Sequence, residues 1–348
     1  MNRKHLTVVT SFFMMLLLAA CHKEIKEELK TVFPGFETPE NFPAPVYHFE
    51  TNPVTQAGFE LGRKLFYEPR FSRNNTISCG SCHIQSAAFT HHGHDVSHGI
   101  DDRLGKRNSP PIMNLAWSPA YMWDGGIFDL DLQPIAPITA HEEMDETLGN
   151  IIAKLQAHPD YPGLFQKAFG SSEITSAHVL QALSQFMVLC ISSHSKYDSV
   201  IRHTGITFTA KEEEGYHIFK QKCSTCHTEP LFTDHSFRDN GIGIGFNGDM
   251  GRYDITLQET DKYKFKVPSL RNLQYTAPYM HDGRFYTLDA VLDQYAAHTQ
   301  LTANLDPLLL QNGTPGIPLT QDEKASLLTF LNTLNDKQFV TDKMFSEQ

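Results

Sequence analysis

The sequence predicts a mostly α-helical chain built from two related halves. Few segments show the alternation of polar and apolar residues that is typical of strands, and loops rich in Gly, Pro and Asn separate the helical patterns. A twelve-residue segment also occurs twice in the same register, as residues 114–125 and 272–283, with Trp123 opposite His281. The repeat indicates that one unit was duplicated. The helical patterns cover residues 55–67, 145–158, 175–191, 209–221, 287–298 and 320–335.

Each half carries one copy of the pattern Cys-x-x-Cys-His. The two copies are Cys79-Gly80-Ser81-Cys82-His83 and Cys223-Ser224-Thr225-Cys226-His227. In this motif the cysteines attach c-type haem through thioethers, and the histidine becomes an axial iron ligand. Two zinc half-sites are the alternative, but zinc ribbons place their cysteine pairs about 15–20 residues apart, far closer than here. The sequence therefore predicts two covalently bound haem c groups.

The first residues resemble an export signal. Arg3 and Lys4 precede an apolar run over residues 12–20, which ends at Cys21. The run is shorter than the roughly 20 residues that a membrane-spanning helix needs. Leu18-Ala19-Ala20-Cys21 resembles a bacterial lipobox, so we expect lipidation of Cys21 and a periplasmic, membrane-anchored lipoprotein. An ordinary secretory peptide with an incidental cysteine is the alternative.

Composition and charge limit the classes of partner that the protein can bind. The 348 residues carry a formal net charge of −11, which argues against nucleic acid as a partner and favours locally positive ones. We predict a signal peptide over 1–20, a tether over 21–45, and haem domains over 46–200 and 201–348. Cys190 lies in an apolar helical pattern and is expected to be a buried, inert thiol.

Several segments outside the haem motifs resemble one family. They are Arg107-Asn108-Ser109-Pro110, Trp123-Asp124-Gly125, Glu143-Met144, Leu270-Arg271-Asn272 and Thr276-Ala277-Pro278-Tyr279. In order and spacing these resemble the bacterial dihaem cytochrome c peroxidases and their relatives of the MauG family, over residues 45–340. The resemblance implies two cytochrome-c-like haem domains. The N-terminal haem would react with peroxide, and the C-terminal haem would accept electrons from a small donor protein.

The resemblance also implies a catalytic pocket at the N-terminal haem. Glu143, twenty residues after Trp123, takes the position of the family's catalytic glutamate, and Gln133 that of its distal glutamine. A carboxyl group above an apolar haem face has a raised pKa and can act as acid and base near neutral pH. A solvated loop acid beside Glu142 is the alternative for Glu143. Trp123 would stand between the haems as an electron bridge; its alternative is a core residue, for which Trp117 is the better candidate.

Two positions depart from the peroxidases. Tyr295 occupies the place of the methionine that ligates the C-terminal haem iron, and the MauG branch has a tyrosine there; Met280, His298 or simple helix packing of Tyr295 are the alternatives. His98 resembles the histidine that caps the resting N-terminal haem, but its spacing to Arg107 is longer than in the peroxidases. His91, His92 and His94 crowd the same loop, and a five-coordinate haem is the competing interpretation.

The resemblance implies further partners. Asn108, Thr276 and Pro278 match the positions that hold a calcium ion between the domains, and oxygen ligands suit calcium. We therefore expect a cytochrome-c peroxidase that reduces hydrogen peroxide with electrons from a small c-type cytochrome or cupredoxin, as a monomer or homodimer. A MauG-like oxidase of a protein partner and a non-catalytic dihaem electron carrier are the alternatives.

Overall fold

Helices and long loops make up nearly all of the fold. The computed structural model describes residues 33–245 and 248–348. Among them, no helix is long and apolar enough to cross a membrane. The predicted signal peptide over 1–20 and Cys21 lie outside the described residues. The α-helices are α1 (Gln56–Phe66), α2 (Cys79–Cys82), α3 (Ile135–Thr139), α4 (Leu148–Gln156), α5 (Tyr161–Phe169), α6 (Ser176–Met187), α7 (Lys196–Ile201), α8 (Ala210–Lys222), α9 (Tyr253–Thr256), α10 (Leu288–Asp293), α11 (Gln321–Leu331) and α12 (Lys337–Thr341).

The strands are short, and they form two small antiparallel pairs. β1 (Phe237–Arg238) pairs antiparallel with β2 (Phe265–Lys266), and β3 (Leu310–Gln311) pairs antiparallel with β4 (Thr314–Pro315). The predicted mostly α class is confirmed, and each of the six predicted helical patterns contains a helix. A π-helical turn over Gln294–His298 continues α10.

In the first half, α1 packs closely against α6. A side chain at Gly62 would place its Cβ 1.8 Å from the carbonyl oxygen of Ala182, so this close approach requires glycine. Phe66 and Phe186 fill the contact, with ring centroids 4.9 Å apart. Thr55 caps the start of α1 by accepting a hydrogen bond from the backbone N–H of Gly58.

The second half repeats this packing with α8 and α11. A Cβ at Gly215 would lie 2.0 Å from the carbonyl oxygen of Ser326. A capping box of Thr209 and Glu212 opens α8. The core beneath consists of Tyr197, Phe219, Phe232, Leu292, Leu327, Phe330, Leu331 and Leu334.

The two copies of the repeated segment adopt the same local conformation. In each copy a tyrosine N–H donates to a carbonyl six residues later, from Tyr121 to Ile127 and from Tyr279 to Phe285, both at 2.7 Å. Three pairs of matched residues share a positive φ. They are Asn114 and Asn272 (55° and 64°), Met122 and Met280 (68° and 75°), and Gly125 and Gly283 (67° and 66°).

A buried ion pair joins distant parts of the chain. The guanidinium group of Arg271 is fully buried and forms two hydrogen bonds with the carboxylate of Asp198 on α7, at 2.7 and 2.8 Å. Asn41 donates to the same carboxylate at 3.0 Å. The rings of Phe42 and Phe232 lie 5.0 and 5.6 Å from the guanidinium carbon. Hydrogen bonds and the adjacent positive charge hold the pKa of Asp198 at about 2.

Residues 337–346 pack into the core of the first half. The ring centroid of Phe339 on α12 lies 5.6 Å from that of Phe89, and the Phe345 ring lies 6.5 Å from Phe186. The hydroxyl of Tyr67 donates to the carbonyl oxygen of Phe345 at 2.8 Å. A segment at the end of the second half therefore completes the core of the first.

Candidate functional site

The first Cys-x-x-Cys-His motif forms the short helix α2 and its C-terminal cap. Burial raises the pKa of the Cys79 thiol to about 12 and of the Cys82 thiol to about 11, so neither is a thiolate near neutral pH. The Nδ1–H of His83 donates to the carbonyl oxygen of Phe89 at 2.8 Å. This bond fixes the imidazole and leaves its Nε2 available to a metal, which is the usual second-shell arrangement of a histidine ligand.

A cavity of about 560 Å³ opens beside this motif. Its size lies in the range of cofactor pockets, and apolar side chains dominate its walls, among them Phe66, Ile112, Ile138 and Leu183. Cys79, Cys82 and His83 lie on the cavity wall, and therefore the residues fit a covalently attached haem. Part of the wall comes from the second half, through residues 231–235 and 266–269.

Glu143 and its neighbour Glu142 both line this cavity, but Glu143 is half-buried, whereas Glu142 is exposed. Burial raises the pKa of the Glu143 carboxyl group, and a hydrogen bond from Ser97 partly opposes that shift. The backbone of Glu143 is held on the opposite loop, because its carbonyl oxygen accepts a hydrogen bond from the N–H of Ile100 at 2.9 Å. Gly99 permits this contact, since a Cβ there would lie 2.0 Å from the carbonyl oxygen of Glu142. The arrangement can hold and transfer a proton inside the cavity.

Gln133 and Trp123 line the same cavity. The side-chain amide of Gln133 donates to the sulfur of Met122 at 3.5 Å. The indole N–H of Trp123 donates to the carbonyl oxygen of Asn108 at 2.8 Å, and its own carbonyl accepts from the backbone N–H of Lys266 at 2.7 Å. Trp123 is thus held by residues from both halves. Trp117, in contrast, is a buried core residue, as expected.

Histidines cluster at the edge of the cavity. The Nε2 atom of His98, which lines the cavity, lies 3.2 Å from Nδ1 of His94, at hydrogen-bond distance. The ring of His94 stacks on His91 with centroids 4.1 Å apart, while His92 is exposed. In this conformation the Nε2 atom of His98 is paired with His94. Among the described residues no cluster of three or more His, Cys, Asp or Glu side chains forms a metal site of its own.

The second motif repeats the geometry of the first. The Nδ1 atom of His227 lies 3.1 Å from the carbonyl oxygens of Phe232 and Pro268. Burial raises the pKa of the Cys223 thiol to about 12 and also raises that of Cys226. The three side chains therefore fit a second covalent haem with His227 as the axial ligand.

Tyr295 lies close to these cysteines. It belongs to the π-helical turn after α10, a type of turn that often occurs at functional sites. Burial raises the pKa of its phenol, a hydrogen bond with Asn240 opposes the shift, and Cys223 and Cys226 are near enough to contribute. Asn240 also donates to the sulfur of Met280 at 3.6 Å, so Tyr295 and Met280 are neighbours. The side chain of His298 is exposed.

The residues expected to bind calcium lie on two loops, and a backbone hydrogen bond joins these two loops. The N–H of Asn108 donates to the carbonyl oxygen of His281 at 2.7 Å, which places Asn108 beside the segment that contains Thr276 and Pro278. The Asn108 amide donates to the carbonyl oxygens of His94 and Asp95, both at 3.2 Å. Thr276 and Pro278 are buried.

Comparison with known proteins identifies the family. Residues 56–205 match the family described as di-haem cytochrome c peroxidase. The chain is 33% identical over 322 residues to methylamine utilization protein MauG of Methylorubrum extorquens, with 89% of this chain and 86% of the relative covered. The chain belongs to the di-haem cytochrome c peroxidase and MauG family. Cytochrome c551 peroxidase of Nitrosomonas europaea is 32% identical, with 80% of each chain covered.

Solved structures of this family share the fold. A MauG-like protein associated with microbial copper homeostasis superimposes with a TM-score of 0.82 at 32% identity, and the match covers 89% of this chain and 98% of that one. The diheme peroxidase BthA from Burkholderia thailandensis has a TM-score of 0.73 at 19% identity, covering 90% and 98% of the two chains. The second likeness concerns the fold alone. Membership of the family implies two haem c groups, and both Cys-x-x-Cys-His sites fit them.

Some residues of the first cavity were not expected from the sequence. Ser97 hydrogen-bonds to Glu143, Met122 contacts Gln133, and His235 and Lys266 form part of the wall. Met122 carries a detectable signal, because it matches Met280 in the repeat. His235 and Lys266 carry none, since they lie in the other half of the chain and reach the cavity only through the tertiary fold.

Proposed function

We propose that this protein is a cytochrome-c peroxidase that reduces hydrogen peroxide to water with electrons from a small redox protein. The observation that carries the proposal is the buried carboxyl group of Glu143, with Gln133, in the same cavity as Cys79, Cys82 and His83. A protein that only carries electrons does not need an acid with a raised pKa in the cavity beside its haem-attachment motif. Relatives named cytochrome c peroxidase support the activity at the level of the family.

The residues around the first cavity have separate roles in the proposed reduction of peroxide. Bound haem supplies the redox-active iron at which the O–O bond of peroxide is broken. Glu143 accepts the proton of the inner peroxide oxygen and returns it to the outer one, which leaves as water. Gln133 donates a hydrogen bond that orients the peroxide. In the complete reaction, one peroxide, two protons and two electrons give two water molecules, and an external donor supplies the electrons.

Electrons enter, in this proposal, at the haem on Cys223 and Cys226 and pass Trp123 to the first cavity. Trp123 is suited to this role because hydrogen bonds from both halves hold it. A small c-type cytochrome or cupredoxin is the proposed donor. The matched packing of α1 with α6 and of α8 with α11, together with the matched repeat, supports an internal duplication with haem domains over 46–200 and 201–348.

A MauG-like oxidase, which oxidises aromatic side chains of a protein partner, is the second candidate. Tyr295 favours it, because the phenol lies beside Cys223 and Cys226, where peroxidases have a methionine ligand. The relatives named MauG and MauG-like support the same comparison. In either function we propose Tyr295 as the second axial ligand of the C-terminal haem, with Met280 as its neighbour and competitor.

The remaining assignments complete the proposal. His98 serves as a movable cap of the N-terminal haem once it leaves His94, and Asn108, Thr276 and Pro278 contribute oxygen ligands to one calcium ion. The protein acts in the periplasm, anchored by a lipid on Cys21 at the end of the signal peptide, and a homodimer is the proposed assembly. The acidic surface suits a donor with a positive face.

Steady-state turnover tests the function. The holoprotein with both haems is mixed with hydrogen peroxide and a reduced small c-type cytochrome or cupredoxin, and donor oxidation is followed by its absorbance. A peroxidase oxidises two donor molecules for each peroxide. If peroxide is consumed only when a protein with oxidisable aromatic side chains is added, the oxidase is correct. Stoichiometric electron exchange without peroxide consumption means that the protein is a carrier.

A further inference from the structure

The ammonium group of Lys266 lies in the wall of the first haem cavity, although Lys266 belongs to the second half of the chain. Its Nζ donates to the carbonyl oxygen of Ala120 at 2.6 Å and to the hydroxyl of Ser118 at 3.4 Å. Burial lowers the pKa of Lys266 to about 8. Among the described residues, no carboxylate forms an ion pair with this lysine. A buried cation in this position is stabilised when an anion occupies the cavity.

His235 lies beside Lys266 and also lines the cavity. Its Nε2 atom is buried and has no hydrogen-bond partner among the described residues. The backbone N–H of His235 donates to the hydroxyl of Thr233 at 3.0 Å, which holds the residue in place. Buried polar nitrogen atoms nearly always have a partner, so this atom indicates a group that the protein chain itself does not supply.

The other buried cation of this wall is already neutralised. Arg107 forms hydrogen bonds with Asp249 at 2.6 and 2.8 Å and with the carboxylate of Asp124. Lys266 therefore differs from Arg107, since backbone and hydroxyl oxygens are its contacts and its charge is not balanced by an ion pair. The cavity thus offers an ammonium group without an ion pair and a buried imidazole nitrogen without a hydrogen-bond partner, side by side on its wall.

Haem c brings two carboxylates of its own. Its thioether bonds lie on one edge of the macrocycle, and its two propionates lie on the opposite edge. We propose that Lys266 and His235 bind a propionate of the haem that is attached to Cys79 and Cys82. The ammonium group then gains its counter-ion, and the Nε2 atom of His235 gains a hydrogen-bond partner. The propionate remains ionised, and no bond is made or broken.

This assignment makes the second half a part of the N-terminal haem site. The backbone of Lys266 already holds Trp123 through the 2.7 Å hydrogen bond from its N–H. Lys266 would thus position the haem and Trp123 at once, as a positioning residue that does not touch the peroxide. The inference requires haem in the first cavity and does not depend on peroxide turnover.

The test compares Lys266→Met with wild type in the holoprotein. The resonance Raman bands of propionate bending report propionate hydrogen bonding, and a potentiometric titration followed by optical and EPR spectra gives the reduction potential of each haem. We expect a shift of the propionate bands and a lower potential of the N-terminal haem, because removal of a nearby positive charge disfavours the added electron. That potential should also become pH-dependent between pH 5 and 8, since a propionate without its counter-ion has a higher pKa.

Lys264→Met is the matched control. Lys264 precedes Lys266 by two residues and lies 3.4 Å from Asp261 outside the cavity, so the propionate bands and both potentials should not change. Asp124 and Asp234 are the other charged groups near Lys266 and His235, and they are present in every variant. Unchanged propionate bands and an unchanged potential in Lys266→Met would overturn the proposal. If that variant does not fold, His235→Gln decides the question by the same two measurements.

Discussion

Glu142 and Glu143 are adjacent in the sequence but lie in different surroundings. Both residues line the haem cavity, but Glu142 is exposed to solvent, whereas burial raises the pKa of Glu143. The resemblance to the family implies that Glu143 is the functional member of the pair, because Glu143 follows Trp123 at the family's spacing. The hydrogen bond from Ser97 could not be predicted, because the partner comes from another loop.

This contrast gives a direct test of acid–base catalysis. In Glu143→Gln we expect the haem spectra to stay nearly unchanged, because the carboxyl group is not an iron ligand, and kcat/KM for peroxide to fall about 10²–10⁴-fold. Glu142→Gln is the control and should retain wild-type turnover. Steady-state peroxide kinetics measure both. Normal turnover in Glu143→Gln would exclude this residue from the mechanism.

Tyr295 allows a second test at the level of one side chain. If its phenolate ligates the C-terminal iron, Tyr295→Met should raise the reduction potential of that haem, since a neutral thioether stabilises ferrous iron better than an anionic oxygen does. Spectroelectrochemical titration measures the change. Tyr286, which is exposed, provides the control variant Tyr286→Phe. A methionine-to-iron charge-transfer band in the wild-type protein would instead identify Met280 as the ligand.

At the scale of elements, the loop that contains Gly99 supports the loop that contains Glu143. Since a Cβ at Gly99 would lie 2.0 Å from the carbonyl oxygen of Glu142 and 2.6 Å from that of Glu143, the two backbones cannot keep their positions around an alanine. Residues 97–100 therefore hold the backbone of the loop that contains Glu143. Sequence reasoning drew attention to this loop for His98 and did not detect the contact.

Gly99→Ala should therefore reduce peroxide turnover while both haems stay attached. Overpacking of this kind also costs about 1–3 kcal/mol of folding free energy. The opposite sign is expected for the control Gly149→Ala in helix α4, where no atom lies within 4 Å of the added Cβ and the gain is up to about 1 kcal/mol. Turnover and urea-induced unfolding are measured on both variants. Full activity and unchanged stability in Gly99→Ala would contradict the predicted displacement.

The segment that contains helix α10 shows how much of the secondary structure the local sequence pattern predicted. Residues 287–298 were predicted as one helix, and the structure contains α10 followed by a π-helical turn over Gln294–His298. The wider π-helical turn changes which side chains face Cys223 and Cys226. Hydrophobic periodicity in the sequence does not reveal such a change. Of the twelve α-helices in the described residues, six lie outside the predicted helical patterns: α2, α3, α5, α7, α9 and α12. The capping box of Ser195 and Asp198 at the start of α7 was a usable signal in the sequence.

At the scale of the whole molecule, the Arg271–Asp198 pair holds three distant segments together. The folded pKa of Asp198 is about 2, below its ordinary value of 3.8. A carboxyl group with a depressed folded pKa stabilises the folded state above its unfolded pKa and loses that contribution as pH falls through the folded value. The stabilisation is therefore complete above about pH 4 and is lost between about pH 4 and pH 2.

Asp198→Asn should lower the free energy of unfolding by about 3–5 kcal/mol at neutral pH, because it leaves a buried guanidinium group without its counter-ion. Its stability should also depend less on pH than that of the wild type between pH 4 and pH 2. Urea unfolding at several pH values measures both effects. Glu259→Gln, which removes an exposed ion pair with Lys262, should change stability by less than about 1 kcal/mol. Parallel pH profiles for Asp198→Asn and wild type would contradict the assigned pKa.

The sequence predicted the parts of the molecule that local pattern encodes, and it did not predict contacts between its halves. The Cys-x-x-Cys-His motifs, the capping box of Thr209 and Glu212 and the buried Cys190 are all local signals. Lys266 reaches the first cavity over a long sequence separation. Such contacts depend on how the helices pack. The hydrophobic periodicity of a segment does not indicate which residues of the other half it will contact.

The packing of residues 337–346 against Phe89 and Phe186 has a consequence for the order of assembly. Ribosomes make these residues after both haem motifs. The pocket around His83 therefore emerges first but acquires its final packing last. Until residues 337–346 are made, the aromatic core around Phe89 and Phe186 is incomplete.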